Sequence, residues 1–123
     1  MPTVARLLAA LDQSDVYVHV RAAGFCRAPG MLQFVATNNG GRFLRVTVNV
    51  PGADDALIAA LAHELQHAVE VAFVPGITDD ASLLRYYERH GQRVGRGEYC
   101  TCQAQKTNAI VRYELCVTSA ARR

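Results

Sequence analysis

The stretch from Asp54 to Phe73 constrains this chain more than any other, because it is apolar at helical spacing and carries His63-Glu64-Leu65-Gln66-His67 inside it. It follows Pro51-Gly52, opens on Asp54 and Asp55 as N-cap and first-turn acids, and stops at Pro75-Gly76, which is the punctuation of a helix. At roughly 100° per residue, with His63 at zero, Leu57, Leu61, Leu65, Ala68, Val69 and Ala72 gather between about 120° and 240°. On the same wheel His67 falls near 40° and Glu70 near −20° (both about, at this pitch). The spacing predicts two histidines one turn apart, turned away from the apolar stripe onto a solvated face.

Two imidazoles so placed can converge on one ion, and Glu64, about 100° round the helix, can reach a water on that ion without being a ligand. This is the division of labour in zinc hydrolases: neutral nitrogens hold Zn²⁺, the pKa of its water falls toward about 7, and the carboxylate takes the proton. The bland alternative is an ordinary surface patch. Against it, the chain has four histidines and two of them fall at this spacing in this element. The expectation is one Zn²⁺ per chain on His63 and His67, with Glu64 as the catalytic base.

At 123 residues and 13.4 kDa, with 50% hydrophobic residues, the chain is long enough for one domain, residues 1–123, with its own core. A net charge of +2 and a pI near 8.5 are too mild to imply nucleic acid or an anionic membrane as partner. Arg85, Arg89, Arg93 and Arg96 form one locally basic stretch, read as a solvated or partner-facing patch. No segment approaches about 20 uninterrupted apolar residues, and Met1-Pro2-Thr3-Val4-Ala5-Arg6 lacks the basic-then-apolar start of a signal peptide. A cytoplasmic location is expected. Cys26, Cys100, Cys102 and Cys116 then read as thiols or metal ligands rather than a disulfide framework.

In chain order, Val4, Leu7, Leu8 and Leu11 mark a short amphipathic helix ending near Asp12. Val16–Val20 alternates as a strand, Arg21–Gly30 reads as a loop, and Met31–Thr37 and Arg42–Val50 form a hairpin about Asn38-Asn39-Gly40-Gly41. In the third strand Leu44, Val46, Val48 and Val50 share the face the motif helix should cover. Asp79-Asp80 caps a helix running to His90 and closed by Gly91, Gly91–Gly97 is a glycine-bearing loop, and a last helix runs from about Cys100 to Ala120. The fold class expected is α+β: a small antiparallel or mixed sheet of about three strands packed against the motif helix, with flanking N- and C-terminal helices.

A catalytic zinc needs a third protein ligand. Glu70 is nearest but lies about 4.5 Å along the axis past His67, so it is expected to orient a histidine or pair with an arginine rather than bind metal. Glu88 sits mid-helix. Glu98, Cys100 and Cys102 crowd the entrance to the last helix, where a ligand can swing over the motif helix, and that cluster is favoured. The metzincin pattern requires a glycine and a third histidine where this chain has Glu70 and Phe73, which excludes it.

Through Leu11–Val16, Gly41–Val46, His63–Val71 and Asp80–Leu83 the chain resembles small bacterial zincin-like proteins of largely unassigned function, which look like minimal gluzincins. The resemblance implies a zincin-like fold and a third ligand from an aromatic-Glu-Thr triplet near the start of the last helix. Here that triplet corresponds to Tyr99-Cys100-Thr101, so that Cys100 replaces the glutamate unless a two-residue shift lets Glu98 serve. Three functions follow. One is a zinc metallopeptidase acting on peptides or proteins, with Tyr86, Tyr87, Tyr99 or His90 near the oxyanion and the third strand's edge pairing with substrate. The second is a closed structural zinc on His63, His67, Cys100 and Cys102. The third is a degenerate peptidase kept as a binding module. Nothing in the sequence sets the oligomeric state.

Overall fold

The computed structural model describes residues 2–22, 30–48, 54–95, 98–100, 107, 110, 111 and 113–115, with backbone alone for residues 54, 92–95 and 98–100. Its elements run α1 (Pro2–Asp12), β1 (Val16–Ala22), β2 (Gly30–Asn38), β3 (Gly41–Val48), α2 (Asp54–Ala72), α3 (Asp80–His90), β4 (Gln92–Gly95) and β5 (Glu98–Cys100). This is an α+β fold with a mixed three-stranded sheet in the order β1-β3-β2 and a separate β4–β5 ribbon.

β2 and β3 pair antiparallel through the turn, where the Gly40 N–H donates to Asn38 Oδ1 at 2.7 Å. Gly41 has φ +141°, and a Cβ there would run into the Asp15 carbonyl and the Tyr17 ring, so this position demands glycine. β1 then adds to the other side of β3 in parallel, from Val16 opposite Arg42 to Ala22 opposite Val48. β3 is therefore central, both its edges are taken, and the expectation that its edge receives a peptide is corrected. The sheet edges open among the described residues belong to β1 and β2.

The inner face of the sheet, with Val16, Phe34, Leu44, Val46 and Val48 buried, lies on α2. α1 covers α2's flank through Leu7 and Leu11, and the core closes with Ile77, Leu83, Val111 and Leu115. α2 is buried almost all round: Leu65, Ala68 and Val69 of the expected stripe, Ala59, Ala62 and Val71 outside it, and also Glu64, Gln66 and His67, while Leu57, Leu61 and Ala72 of the stripe are only half-buried. The histidine face is not solvated. A helical wheel shows one element's polarity and cannot show that Tyr87 of α3 stands on His67.

Arg42 fixes where α2 ends. It is only 4% exposed, and Nη1 donates to the carbonyls of Val71, Val74 and Ile77 at 2.9, 2.9 and 3.0 Å while Nη2 reaches Ala72 O at 3.3 Å. Its other N–H groups make a two-pronged pair with Asp15, Nε to Oδ2 at 2.8 Å and Nη2 to Oδ1 at 2.7 Å. Carbonyls left over at a helix C-terminus need donors, and a guanidinium adds the cation that the dipole favours there. The Arg42 hydrogen bonds hold the Asp15 carboxyl below its ordinary range.

α3 starts at a capping box, with Asp79 Oδ1 accepting from Ser82 N–H at 2.8 Å and Ser82 Oγ reaching back to Asp79 N–H at 3.1 Å, and Gly91 closes it. Beyond it the sequence expectation is corrected. Residues 92–95 pair with 98–100 as a β-ribbon, so Glu98 and Cys100 lie on a strand rather than at a helix entrance. Strands of only four and three residues carry too little periodicity to be read as strands. Helix is present further on, at Thr107, Ile110, Val111 and Tyr113–Leu115. Thr107 Oγ1 donates to Gln66 Oε1 at 3.1 Å and Thr3 Oγ1 to Glu114 Oε1 at 2.6 Å, so this segment lies against both α2 and α1. No helix among the described residues is long and apolar enough to cross a membrane.

Candidate metal centre

One turn of α2 separates His63 from His67, and their Nε2 atoms stand 3.2 Å apart. Two donors at roughly 2.0–2.1 Å from one tetrahedral zinc would be about 3.3 Å apart, so the pair has the separation of two ligands on a single ion. With Glu64 they form the group whose ligand atoms all lie within 4.8 Å of one another among the described residues.

His67 is held from two other directions. Its Nδ1 is 3.0 Å from Glu70 Oε1, on the next turn of α2, which favours a proton on Nδ1 and leaves the Nε2 lone pair toward His63. Its ring meets Tyr87 of α3 edge to face, centroids 5.2 Å apart at 85°. Tyr86 packs on Tyr87 and on His90, and burial and then Glu70 push its phenol pKa up.

Glu64 lies where α2 passes beneath the first residue of β2, and only 7% of it is exposed. Burial pushes its carboxyl up to about 7; His67 pulls the other way and Glu70 adds to the rise. A carboxyl held there is partly ionised at neutral pH and can both take and return a proton.

The structure thus brings His63, Glu64, His67 and Glu70 together. It leaves Glu88 exposed on α3. Glu98 and Cys100 are placed by backbone only, on β5, which packs on the same α3 that carries Tyr87; their side chains, with Cys26, Cys102 and Cys116, fall outside the described residues. Sequence reasoning missed the roles of Arg42 and Gly30. Arg42 had a visible signal, a lone arginine on the face shared with Leu44 and Val46, where a charge demands partners. Tyr87, one of the residues expected near the oxyanion, packs its ring against His67. No family model, curated protein or solved structure matches this chain, so the site rests on its own geometry.

Proposed function

We propose that the chain is a zinc-dependent hydrolase of zincin-like architecture, most simply a metallopeptidase. The observation that carries this reading is the 3.2 Å convergence of the His63 and His67 Nε2 atoms beside a buried carboxyl held near 7. An imidazole pair with one ring oriented by a carboxylate suits zinc, and a structural site has no use for an acid buried against it. Zinc, when bound, supplies Lewis acidity that brings water's pKa toward about 7.

In this reading His63 and His67 hold the metal and Glu70 fixes the His67 ring. Glu64 takes the proton of the attacking water and returns it to the leaving amine. The third ligand comes from Glu98 or Cys100: the chain that follows them returns to α2 at Thr107, against Gln66. An extended peptide would pair with the outer edge of β2, since β2 begins beside Glu64 and β3 is enclosed.

The test compares wild type, Glu64→Gln and chelated protein on unstructured proteins and peptides at neutral pH. Glu64→Gln should keep its zinc and its fold while hydrolysis drops at least about 10²-fold. If the two behave alike and chelation unfolds the domain, zinc is structural and the hydrolase assignment is withdrawn.

A further inference from the structure

We infer that Gly30, the first residue of β2, is a positioning residue for the Glu64 carboxyl, an inference that rests on the hydrolase reading for its catalytic meaning but not for its geometry. A methyl group added at Gly30 would lie 2.8 Å from Glu64 Cγ, 3.2 Å from Oε1 and 3.4 Å from Cδ. The first distance is shorter than carbon atoms tolerate, and Cγ is not a mobile tip. On a helix χ1 is confined to two of its three wells, because the third drives the side chain into the preceding turn. The strand backbone is therefore a wall that sends the Glu64 chain along one course. That course ends with the carboxyl in the group formed with His63 and His67.

The glycine is needed for proximity rather than for backbone freedom, since the left-handed φ in this sheet belongs to Gly41. Gly30 faces inward opposite Val48, on the side of the sheet that carries Leu32 and Phe34. Any side chain there has to displace Glu64, or lift the start of β2 from α2. Neither movement touches the i, i+4 geometry of the histidines, which α2 sets by itself. A substitution at residue 30 therefore separates the two halves of the site: the metal ligands stay and the base moves.

The experiment uses the full chain as wild type, Gly30→Ala, Glu64→Ala and the double variant, with Gly30→Ala also placed on Glu64→Gln. In metal-free thermal melts Gly30→Ala should lower the midpoint by roughly 5–10 °C with Glu64 present, as overpacking does, and by little once Glu64→Ala removes the atoms it strikes. If Gly30→Ala alone does not fold, recovery of folding in the double variant gives the same answer. Zinc content should be unchanged in Gly30→Ala, and kcat should fall about 10²-fold with KM nearly constant. On Glu64→Gln the same change should cost almost nothing more in kcat. An equal loss of midpoint in both Glu64 backgrounds, or loss of zinc from Gly30→Ala, overturns the inference. Coupled melts in a protein that hydrolyses nothing support the placement of Gly30 against Glu64 and retire the hydrolase reading instead.

Discussion

Replacing Arg42 by methionine keeps a long apolar stem and removes the guanidinium that ties β3, Asp15 and the end of α2 together. The Asp15 pair is half in water, with the Asp15 side chain 54% exposed, so its loss counts for no more than about 1 kcal/mol. The carbonyl contacts weigh more. Val71 and Val74 each still accept a backbone N–H, from Val74 at 3.0 Å and Ile77 at 3.1 Å, and lose only part of their bonding. At about 1.5–3 kcal/mol for a hydrogen bond to a charged group, discounted for those two and for the long 3.3 Å contact to Ala72, the carbonyls lose roughly 2–4 kcal/mol. The expected total is about 3–5 kcal/mol, against roughly 6–18 kcal/mol for a chain of this length. Denaturant unfolding of the metal-free protein, followed by far-UV circular dichroism, measures it at constant m. Arg42→Lys should recover less than half, because one ammonium cannot serve both Asp15 and the carbonyls. A loss below about 1 kcal/mol for Arg42→Met, or an equal loss in Asp15→Asn, would refute the assignment of Arg42 as the cap of α2.

The raised carboxyl of Glu64 makes the metal-free fold pH-dependent in an unusual direction. The folded state holds the proton from the ordinary 4.5 up to about 7, so its contribution is fully present below pH 4.5 and is lost as pH rises through 7. Over that interval stability should fall by about 3 kcal/mol, and urea titrations of Glu64→Gln at several pH values should show the slope gone. Glu70→Ala should weaken zinc about 10- to 100-fold in a competition titration while leaving one site per chain; unchanged affinity would mean that the 3.0 Å contact does not orient His67. Among Glu98→Gln, Cys100→Ala and Glu88→Gln, one of the first two should lose most of the zinc by metal analysis and the third should keep it. Loss in Glu88→Gln alone would place the third ligand on α3.

The local parts of this fold were legible because their signals are local. Asp54, Asp79 and Gly91 punctuate α2 and α3 within a residue of where the helices lie, and the alternation from Gly41 to Val48 states which face of β3 is buried. The His63, Glu64 and His67 group is one helical turn, so spacing alone places it. What depends on distant partners was not legible. Nothing in Val16–Ala22 says that it pairs in parallel with β3 rather than beside β2. The helical wheel cannot reveal Tyr87 standing on His67, nor Gly30 at the start of β2 against Glu64, since those partners lie twenty and thirty-four residues away in sequence.

The central place of β3 makes register in this sheet an inherited property. The turn at Asn38–Gly41 sets how β2 meets β3, and β1, arriving from across the sheet, has to copy whatever alignment β3 already presents. A hairpin joined by a short turn closes in about microseconds, whereas the parallel partner must wait for a longer loop to close. A slip of one residue in the hairpin would turn Leu44 and Val46 outward and swing Arg42 away from the carbonyls of α2. The helix that carries His63 and His67 would then have no seat, so the accuracy of a short glycine-containing turn is transmitted to a candidate metal site to which it contributes no atom.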